Sequence, residues 1–313
     1  HGIDSLCLAG GVALNCVSNG KILRDGAFKN IWIQPAAGDA GGSLGAALTV
    51  NHHYLGRARN VDGFKDLMDG SFLGPEFKQH EIERRLTESG AVFEVLNEET
   101  LLSQTVEALT NEKAIGWMQG RMEFGPRALG GRSIIADPRS SEMQKVLNLK
   151  VKYRESFRPF APSVLSEDAS NWFNLEGDSP YMLIVADVVQ SKQRKMNKSE
   201  EKLFGIEKLN VPRSEIPAVT HVDYSARIQT VHKETNQLYH SLIRAFKERT
   251  GCPVVVNTSF NVRGEPIVHT PEDAFRCFMG TELDILVIGN CFLKKGDQDQ
   301  KLKLDYKDQF ELD

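Results

Sequence analysis

The pattern of apolar and polar positions predicts two strand–turn–helix units at the start of the chain. Apolar runs at 5–9 and 31–34 predict buried strands, and each run leads into a turn rich in Gly and Ala. After these turns the pattern predicts helices that begin near Val12 and near Ser43. Paired units of this kind are typical of an α/β lobe that binds a nucleotide.

Periodicity is lost at 51–75, which predicts a linker, and a second α/β domain follows at 76–300. The helices predicted in this domain are 76–89, 99–111, 141–150, 231–249 and 271–279. The predicted strands include 91–96, 113–119, 181–189, 253–261 and 285–289. Polar residues predict a surface loop at 190–210 and a frayed tail after Lys294, in which 301–313 form a separate polar segment.

Composition changes this picture through the distribution of charge. The 313 residues are 41% hydrophobic and 26% charged, which suits a globular protein of one to three domains. The net charge of −4 gives no indication of a nucleic-acid or membrane partner. Residues 113–158, however, hold ten Lys and Arg against four Asp and Glu. This basic segment predicts either a site for a small anion or a solvated face, and charge alone does not separate the two.

Cysteine usage and the apolar runs predict a cytoplasmic protein. The five cysteines form no CxxC pair, and their odd number argues against a disulfide framework. No signal peptide is present, and no apolar run approaches the roughly 18 residues of a membrane span. Because the chain lacks an initiator Met and enters a predicted strand at once, we expect a fragment whose N-terminal portion is missing.

The stretch GRMEFGPRALGGRSI at 120–134 is the first candidate for chemistry. Its spacing fits neither a helix face nor a strand, and its glycines allow backbone N–H groups to approach a ligand closely. Arg121, Arg127 and Arg132 can each direct a planar guanidinium at phosphate or carboxylate oxygens. The stretch therefore predicts an anion-binding loop, with a surface loop of salt-bridged arginines as the alternative.

Two further segments carry groups suited to a phosphorylated ligand. In KVKYRESFRPFAP at 150–162, basic residues alternate with aromatic ones, which favours a rigid pocket for a small anion, with RNA binding as the alternative. Asn257, Thr258 and Ser259 end a predicted strand, where open α/β sheets bind their ligands. Their short amides and hydroxyls suit contacts to phosphate or ribose.

A third segment, AVTHVDYSARIQTV, places His221, Asp223 and Arg227 at alternate positions near one strand end. A single His in such a position is more often structural than catalytic. Two other classes of enzyme are excluded, because the sequence has no GxSxG elbow of a serine hydrolase and no GxxxxGK[ST] phosphate loop.

Six ordered blocks together resemble one family. They are GGVALNCVSNGKIL, QPAAGDAGGSLGAAL, GRMEFGPRALGGRSIIADPR, KYRESFRPFAPSVL, PAVTHVDYSARIQTV and VVNTSFNVRGEPIV. These blocks span nearly the whole chain and resemble the O-carbamoyltransferases of nodulation-factor and antibiotic biosynthesis. The resemblance implies that residues 1–75 are the end of an actin-like ATPase-fold domain with its linker, and that 76–300 form a YrdC-like twisted α/β sheet.

The resemblance also implies an ATP-dependent reaction in two steps. The YrdC-like domain would bind carbamoyl phosphate and ATP with Mg²⁺, and would form carbamoyl adenylate with release of phosphate and pyrophosphate. The first domain would then transfer the carbamoyl group to the hydroxyl of a small-molecule acceptor, with a bound iron holding the intermediate. We further expect a cytoplasmic protein without a membrane or nucleic-acid partner, and a homodimer is one option. The identity of the acceptor stays open.

Residue roles follow from the same resemblance. In the YrdC-like domain the implied catalytic residues are Arg127, Lys152, Arg158 and Arg227. The residues implied in carbamoyl phosphate and ATP binding there are Arg132, His221, Asn257, Thr258 and Ser259. In the first domain, those implied in contacts to adenosine or its phosphates are Gly10, Gly11 and Asn15, and Asp39 is the implied metal ligand.

The sequence departs from the family pattern at the metal site. The paired histidines that supply the other ligands belong to the portion expected to be missing, and neither His1 nor the pair at 52–53 replaces them. Since stable iron sites combine several N or O ligands, we expect no stoichiometric iron in this chain, which metal analysis of the purified protein would check. Two alternatives remain: a threonylcarbamoyl-adenylate synthase-like enzyme of tRNA modification, or a non-enzymatic nucleotide- or RNA-binding module.

Overall fold

The computed structural model describes residues 2–61, 66–303 and 306. The strands are β1 Ser5–Leu8, β2 Asn30–Ile33, β3 Glu94–Val95, β4 Ile115–Met118, β5 Arg132–Ala136, β6 Ala161–Leu165, β7 Ile184–Asp187, β8 Ser225–Val231, β9 Val254–Ser259, β10 Ile285–Ile288 and β11 Cys291–Lys294. The helices are α1 Cys16–Asp25, α2 Ala40–Thr49, α3 Gln79–Glu88, α4 Glu98–Thr110, α5 Met143–Lys150, α6 Ala169–Trp172, α7 Gly205–Leu209, α8 Gln237–Thr250 and α9 Pro271–Gly280.

The strands form a small sheet and a large one. β1 and β2 pair in parallel, and β1, which is predicted to be buried, consists of exposed and half-buried residues. The large sheet has nine strands in the order β3-β11-β10-β4-β5-β9-β6-β8-β7. It is mixed: β4 pairs in parallel with β10, and β6 with β8, while β5 and β9 run antiparallel between them. The predicted α/β class is thereby confirmed.

Two long helices cover the middle of the large sheet. α8 packs on β6 and β9 and against α4, and α9 packs on β4 and β10 and against α3. The amphipathic spacing of α8 places Tyr239, Leu242 and Phe246 in the core with no exposed surface. Apolar faces of this kind, buried against fully buried strands, provide most of the stability of such a layer. The sheet is therefore a rigid support for the loops at its strand ends.

Several predicted elements have different bounds in the structure, and two of the differences lie in the part of the chain that carries the basic segment and β8. The helix predicted from residue 231 begins instead at Gln237, because β8 continues to Val231 and Asn236 then caps the helix by accepting a hydrogen bond from the Tyr239 backbone N–H (3.1 Å). The end of the arginine–glycine stretch, expected to be irregular, is strand β5 from Arg132 onward.

The tail is more ordered than predicted as far as the structure describes it. β11 ends at Lys294, and beyond it the amide of the buried Gln298 donates to the carbonyl of Val92 (2.8 Å). Tyr306 is buried and its hydroxyl donates to Glu265. These contacts replace the frayed end with a packed one, whereas most of the predicted segment 301–313 lies outside the described residues.

Helix α1 joins the first unit to the large sheet at its last strand, β7. The buried Asn19 donates to the carbonyl of Leu183 (3.0 Å), and Arg24 donates to the carbonyl of Val185 (2.8 Å). Gly20 lets the two backbones approach, since a Cβ there would lie 2.1 Å from the Val185 oxygen. The start of α1 is thereby held beside the loops of the large sheet.

Two further sequence-based expectations meet the structure here. All five cysteines are free, so no disulfide framework is present. Within the described residues, no helix has both the length and the apolar character that a membrane crossing requires.

Candidate functional site

Two adjoining cavities lie at the basic segment. The central cavity, of about 560 Å³, lies among the start of α1, the β4–β5 loop and the ends of β8 and β9. The outer cavity, of about 500 Å³, lies beside the residues that follow β9. Arg154, Arg158 and Ser259 line both cavities, so the two form one cleft. Among the residues described, the charged and polar ones lining the central cavity are Asn15, Cys16, Arg127, Arg154, Arg158, His221, Arg227, Thr258 and Ser259.

The β4–β5 loop is held in shape by a buried carboxylate. Oε1 of Glu123 accepts hydrogen bonds from the backbone N–H groups of Leu129 (2.6 Å), Gly131 (2.7 Å) and Arg132 (3.3 Å). Gly130 has a φ of +106°, and a Cβ there would lie 2.4 Å from the Tyr239 ring. Three N–H groups that converge on one oxygen, with a glycine that no larger residue replaces, fix the path of the loop.

Side chains from two strands bind the carbonyl groups of the same loop. Asn257 on β9 donates to the carbonyl of Ala128 (3.0 Å), and Gln229 on β8 donates to that of Leu129 (2.8 Å). Asn257 also donates to Gln229 Oε1 (2.8 Å), which accepts from Ser163 as well (2.6 Å). Both strands therefore determine the direction of the side chain of Arg127, which precedes Ala128.

Arg127 lies next to Arg227 of β8 at the wall of the central cavity. Arg127 Nη2 lies 3.7 Å from the sulfur of Cys16, which Arg227 also contacts. Each guanidinium has a buried Nε without a hydrogen-bond partner in the described part of the chain. Burial and the neighbouring Arg127 lower the pKa of Arg227 to about 10. Two like charges held together with unsatisfied donors form a site prepared for an anion.

Arg154 and Arg158 continue the positive charge into the outer cavity. Arg154 donates to Asn148 Oδ1 (2.7 Å) and stacks on the Phe160 ring, 5.0 Å from its centroid. Burial, together with the neighbouring Arg158, lowers the pKa of Arg154 to about 10. Arg158 is nearly half exposed and pairs with Glu155 (3.0 Å). Arg154 is therefore the fixed member of this pair, and Arg158 the accessible one.

Lys152 is buried between the cleft and the segment after β9. Its Nζ donates to the carbonyls of Ser259 (2.5 Å) and Asn261 (2.9 Å) and to Asn261 Oδ1 (2.8 Å). Burial, with the nearby Arg154, lowers the pKa of Lys152 to about 7. The amine therefore orders the Ser259–Asn261 turn at the floor of the outer cavity.

His221 lies in the turn before β8 and lines the central cavity. Its Nδ1 is 3.0 Å from Ser225 Oγ, which donates to Asp223 Oδ1 (2.7 Å). Burial lowers the pKa of His221; Asp223 opposes this effect and Arg227 adds to it. A neutral imidazole at pH 7 follows, which can exchange hydrogen bonds with a ligand without adding repulsion between cations.

Two of the residues implied in ligand binding lie behind the cavity wall. Arg132 has no exposed surface, and its guanidinium donates to the carbonyls of Gln119 (3.2 Å), Gly120 (3.2 Å) and Pro75 (3.3 Å). Asn257 is equally buried and binds the loop. The geometry gives both residues a supporting position, and their implied contacts to the ligand stay predictions.

The first unit brings one of its predicted residues to the site. Asn15 caps α1 by accepting from the Ser18 N–H (3.1 Å), and it lines the central cavity. Gly10 and Gly11 precede Asn15 in the sequence and lie in an exposed turn.

Asp39 lies exposed at the start of α2. Among the described residues, no group of three or more His, Cys, Asp or Glu side chains is placed to hold a metal ion. The residues present therefore do not fit an iron site by themselves, and we derive no step through iron.

Three residues of the site were not singled out by sequence reasoning as site residues. They are Glu123, Gln229 and Asn261. Asn261 lies inside a motif that the sequence analysis quotes, and its spacing from Ser259 is the signal that points to it, whereas Arg154 is one of the basic residues of 150–162 for which the sequence predicts a pocket for a small anion. Nothing local marks Glu123 or Gln229, because their partners are backbone groups of a folded loop.

The pKa of Lys152 leads to a prediction about stability and pH. Because its pKa is lower in the folded chain than in the unfolded one, the unfolded chain binds more protons between about pH 7 and pH 10.5, and stability rises with pH over that window. Lys152→Met should remove up to about 1.4 kcal/mol per pH unit of this rise. Urea unfolding at pH 7, 8 and 9 measures it.

The exposed Lys301 provides the control for this experiment. Lys301→Met should keep the parental dependence on pH. The interpretation of Lys152 is wrong if both variants show the same slope as the parent.

The fold and the cleft define a class: an α/β protein with a positively charged cleft beside a mixed sheet. Two family models match the sequence. Residues 1–48 match the model described as carbamoyltransferase N-terminus, and residues 106–295 match the one described as carbamoyltransferase C-terminus. The chain belongs to the carbamoyltransferase family, which confirms the resemblance inferred from the six blocks.

Curated relatives extend this comparison. An uncharacterized protein of Synechocystis, sll1178, is 59% identical over all of this chain and 51% of its own length. Nodulation protein NolO of Bradyrhizobium diazoefficiens is 44% identical over 94% of this chain and 50% of its own length, and nodulation protein NolNO of Sinorhizobium fredii is 43% identical over 94% and 40%. The chain thus spans about half the length of the curated relatives it matches.

A solved structure is a more distant match. The crystal structure of full-length HypF in the phosphate- and nucleotide-bound form aligns with 66% of this chain and 22% of its own, at 16% identity and a TM-score of 0.38.

Proposed function

We propose that this chain forms carbamoyl adenylate from carbamoyl phosphate and ATP, as the first half of an ATP-dependent O-carbamoyl transfer. The observation that carries the proposal is the convergence of Arg127, Arg154, Arg158 and Arg227 on one cleft, with Lys152 at its floor. No Asp or Glu is among the described residues that line the central cavity. Its positive charge is therefore left for a ligand.

The charge of the two substrates explains why so many cations are needed. ATP and carbamoyl phosphate both carry several negative charges, and they repel one another when they are brought into contact. Cations that are already fixed in place lower the free energy of that encounter, and they stabilise the negative charge on the α-phosphate and on the leaving pyrophosphate. Arg127 and Arg227 suit the closest contacts, since both line the central cavity and their like charges lie next to one another.

The reaction balances with one water molecule. Water adds to carbamoyl phosphate and the bond to phosphate breaks, which gives carbamate and inorganic phosphate. A carbamate oxygen then attacks the α-phosphorus of ATP, and pyrophosphate leaves with the electron pair of the broken P–O bond. The arginines bind and orient the phosphates, Lys152 holds the Ser259 turn, and His221 can exchange a proton at its ring nitrogen.

Transfer to an acceptor is proposed only for a complete protein of the relatives' length. Asp39 alone of the implied metal ligands lies in this chain, and it is exposed. The relatives in which the matching region is half of a longer chain support this division. The acceptor class, by the resemblance, is a small molecule with a free hydroxyl.

This division predicts a specific result for the 313-residue chain. It should release pyrophosphate slowly when it is given both carbamoyl phosphate and ATP with Mg²⁺, because the cations of the cleft all lie in the described second domain. It should carbamoylate no acceptor. A coupled pyrophosphate assay, run beside mass spectrometry of a hydroxylated sugar acceptor, measures both outcomes.

Two controls make the result decisive. Omission of carbamoyl phosphate must abolish pyrophosphate release, and titration with tRNA tests the alternative of an RNA-modification or RNA-binding protein. Carbamoylated acceptor formed by this chain alone would refute the division of labour. Binding of tRNA without binding of either small substrate would refute the proposed function.

A further inference from the structure

Glu265 is the only acidic residue among the described residues that line the two cavities of the cleft. It lines the outer cavity together with Lys152, Arg154 and Arg158. A carboxylate in such surroundings is attracted to the cations, and an ion pair there would cancel part of the charge that is left for a ligand. The position of this one carboxylate therefore affects how well the cleft can bind an anion.

Other groups already bind both oxygens of the Glu265 carboxylate. Oε1 accepts a hydrogen bond from the hydroxyl of Tyr306, and Oε2 accepts one from the backbone N–H of Val262 (2.9 Å). The residue is only 7% exposed, and hydrogen bonds to a buried carboxylate are among the strong ones. Lys152 donates instead to Ser259 and Asn261. The negative charge of Glu265 is thus bound by donors that are not the cations of the cleft.

Tyr306 comes from the tail of the chain and is held by α9. Its ring lies against Gly280, where a Cβ would be 2.5 Å from the ring carbon Cγ, so only glycine leaves room for the ring. Arg276, one turn earlier on α9, donates from Nε to the hydroxyl oxygen (3.4 Å). Burial, with the hydrogen bond to Glu265, raises the pKa of Tyr306, so the hydroxyl keeps its proton and remains a donor.

Glu265 also connects the tail to the turn that follows β9. The amide of Asn261 donates to the carbonyl of Glu265 (2.6 Å). The other end of that side chain, Oδ1, accepts from Lys152 Nζ (2.8 Å) and from Ser259 Oγ (2.7 Å). A continuous set of hydrogen bonds therefore runs from Tyr306 to the floor of the outer cavity.

We propose that Tyr306 is a positioning residue for the reaction. Its hydroxyl holds the Glu265 carboxylate away from the cations of the cleft, and those cations remain available for the phosphate groups of the substrates. Tyr306 acts through Glu265 and touches no substrate. This inference rests on the proposed function, and it gives the tail, which the sequence predicts to be frayed, a part in the site.

An anchor that only packs the tail against α9 is the competing interpretation of Tyr306. The ring alone would serve that purpose, and a phenylalanine would fill the same space beside Gly280. A buried hydroxyl costs free energy unless it is hydrogen-bonded, so packing by itself gives no reason for one at this place. Tyr306→Phe separates the two interpretations, because it keeps the ring and removes only the donor.

Binding of carbamoyl phosphate and of ATP to the 313-residue chain tests the proposal. In Tyr306→Phe the affinity for at least one of them should fall about fivefold, because the released carboxylate competes with the ligand for the cations. Glu265→Gln, added to Tyr306→Phe, should recover most of this loss, since a neutral amide does not compete. A defect of packing would not be repaired by a second substitution. Isothermal titration calorimetry at fixed ionic strength measures each affinity.

Tyr54→Phe is the matched control. It removes the hydroxyl of a tyrosine that is 85% exposed and lines none of the cavities of the cleft. This variant should bind both ligands as the parent does.

Hydrogen exchange provides a readout that needs no ligand. Because the Val262 N–H donates to Glu265, peptides from 260–266 should exchange faster in Tyr306→Phe than in the parent. Peptides from α4 should keep the parental rate, and Tyr54→Phe should match the parent throughout. Mass spectrometry of peptic fragments measures the exchange.

The outcomes distinguish this inference from the proposed function. If the parent binds neither carbamoyl phosphate nor ATP, the proposed function fails and the inference fails with it. If the parent binds them, the inference alone is overturned by parental affinities or parental exchange at 260–266 in Tyr306→Phe, or by a loss of affinity that Glu265→Gln does not recover. An unfolded Tyr306→Phe would make the hydroxyl a requirement of the fold and would also overturn its role in positioning.

Discussion

Arg127→Ala is expected to weaken carbamoyl phosphate binding by about 10- to 150-fold, or roughly 1.5–3 kcal/mol. The reason is that Arg127 lines the central cavity beside Arg227, so a bound anion offsets the repulsion between two neighbouring guanidinium groups. Arg158→Ala should fall at the lower end of the same range, because its side chain is 47% exposed and already pairs with Glu155. Isothermal titration calorimetry at fixed ionic strength measures both changes.

Charge and geometry are separated by a second pair of variants. Arg127→Lys should recover only part of the affinity, because an ammonium keeps the charge but loses the planar pair of donors. Arg121→Ala is the matched control: it lies in the same stretch, but its side chain is 55% exposed and donates to the carbonyl of Gly74 (3.1 Å). Parental affinity in both Arg127→Ala and Arg158→Ala would place the anion site elsewhere.

Glu123→Ala is expected to produce the largest loss of stability, roughly 3–5 kcal/mol, since three backbone N–H groups would lose their common acceptor in a buried loop. Glu123→Gln should cost less, because one amide oxygen can still accept. Urea unfolding measures these differences. The same variants should weaken carbamoyl phosphate binding beyond the effect of stability, since the loop carries Arg127.

An exposed glutamate in a helix is the control for this prediction. Glu107→Ala, in α4, removes a carboxylate of the same kind from the surface and should change stability by less than about 0.5 kcal/mol. If Glu123→Ala is as stable as Glu107→Ala, the carboxylate does not hold the loop.

Local sequence patterns could predict the strands and helices whose apolar spacing decides their burial. β4, β9 and β10 are apolar runs bounded by turn residues, and they are buried in the structure as expected. The start of α8 could not be placed in this way. Over the short run that ends at Val231, the apolar residues fit either a strand or a helix. Only the cap at Asn236 shows where the helix begins.

The residues of the candidate site also divide into those that the sequence could predict and those that it could not. Arg127 and Arg158 stand out in the sequence because guanidinium groups near glycine or proline suit anion binding in any fold. Glu123 and Gln229 do not stand out, because their role depends on N–H and carbonyl groups brought to them by the β4–β5 loop. Asn257 is the opposite case, because its motif is visible in the sequence but its role was not predicted. In the structure its amide donates to the loop.

The attachment of α1 to β7 has a consequence for any attempt to divide this protein. β7 is the terminal strand of the large sheet, and the side chains of Asn19 and Arg24 donate to the carbonyl of Leu183, directly before β7, and to that of Val185 within it. A shortened chain that begins after the linker would leave those carbonyls bare, and an unprotected strand of this kind invites pairing with another molecule. Self-association, rather than a clean monomeric half, is what limited proteolysis between the two parts would release.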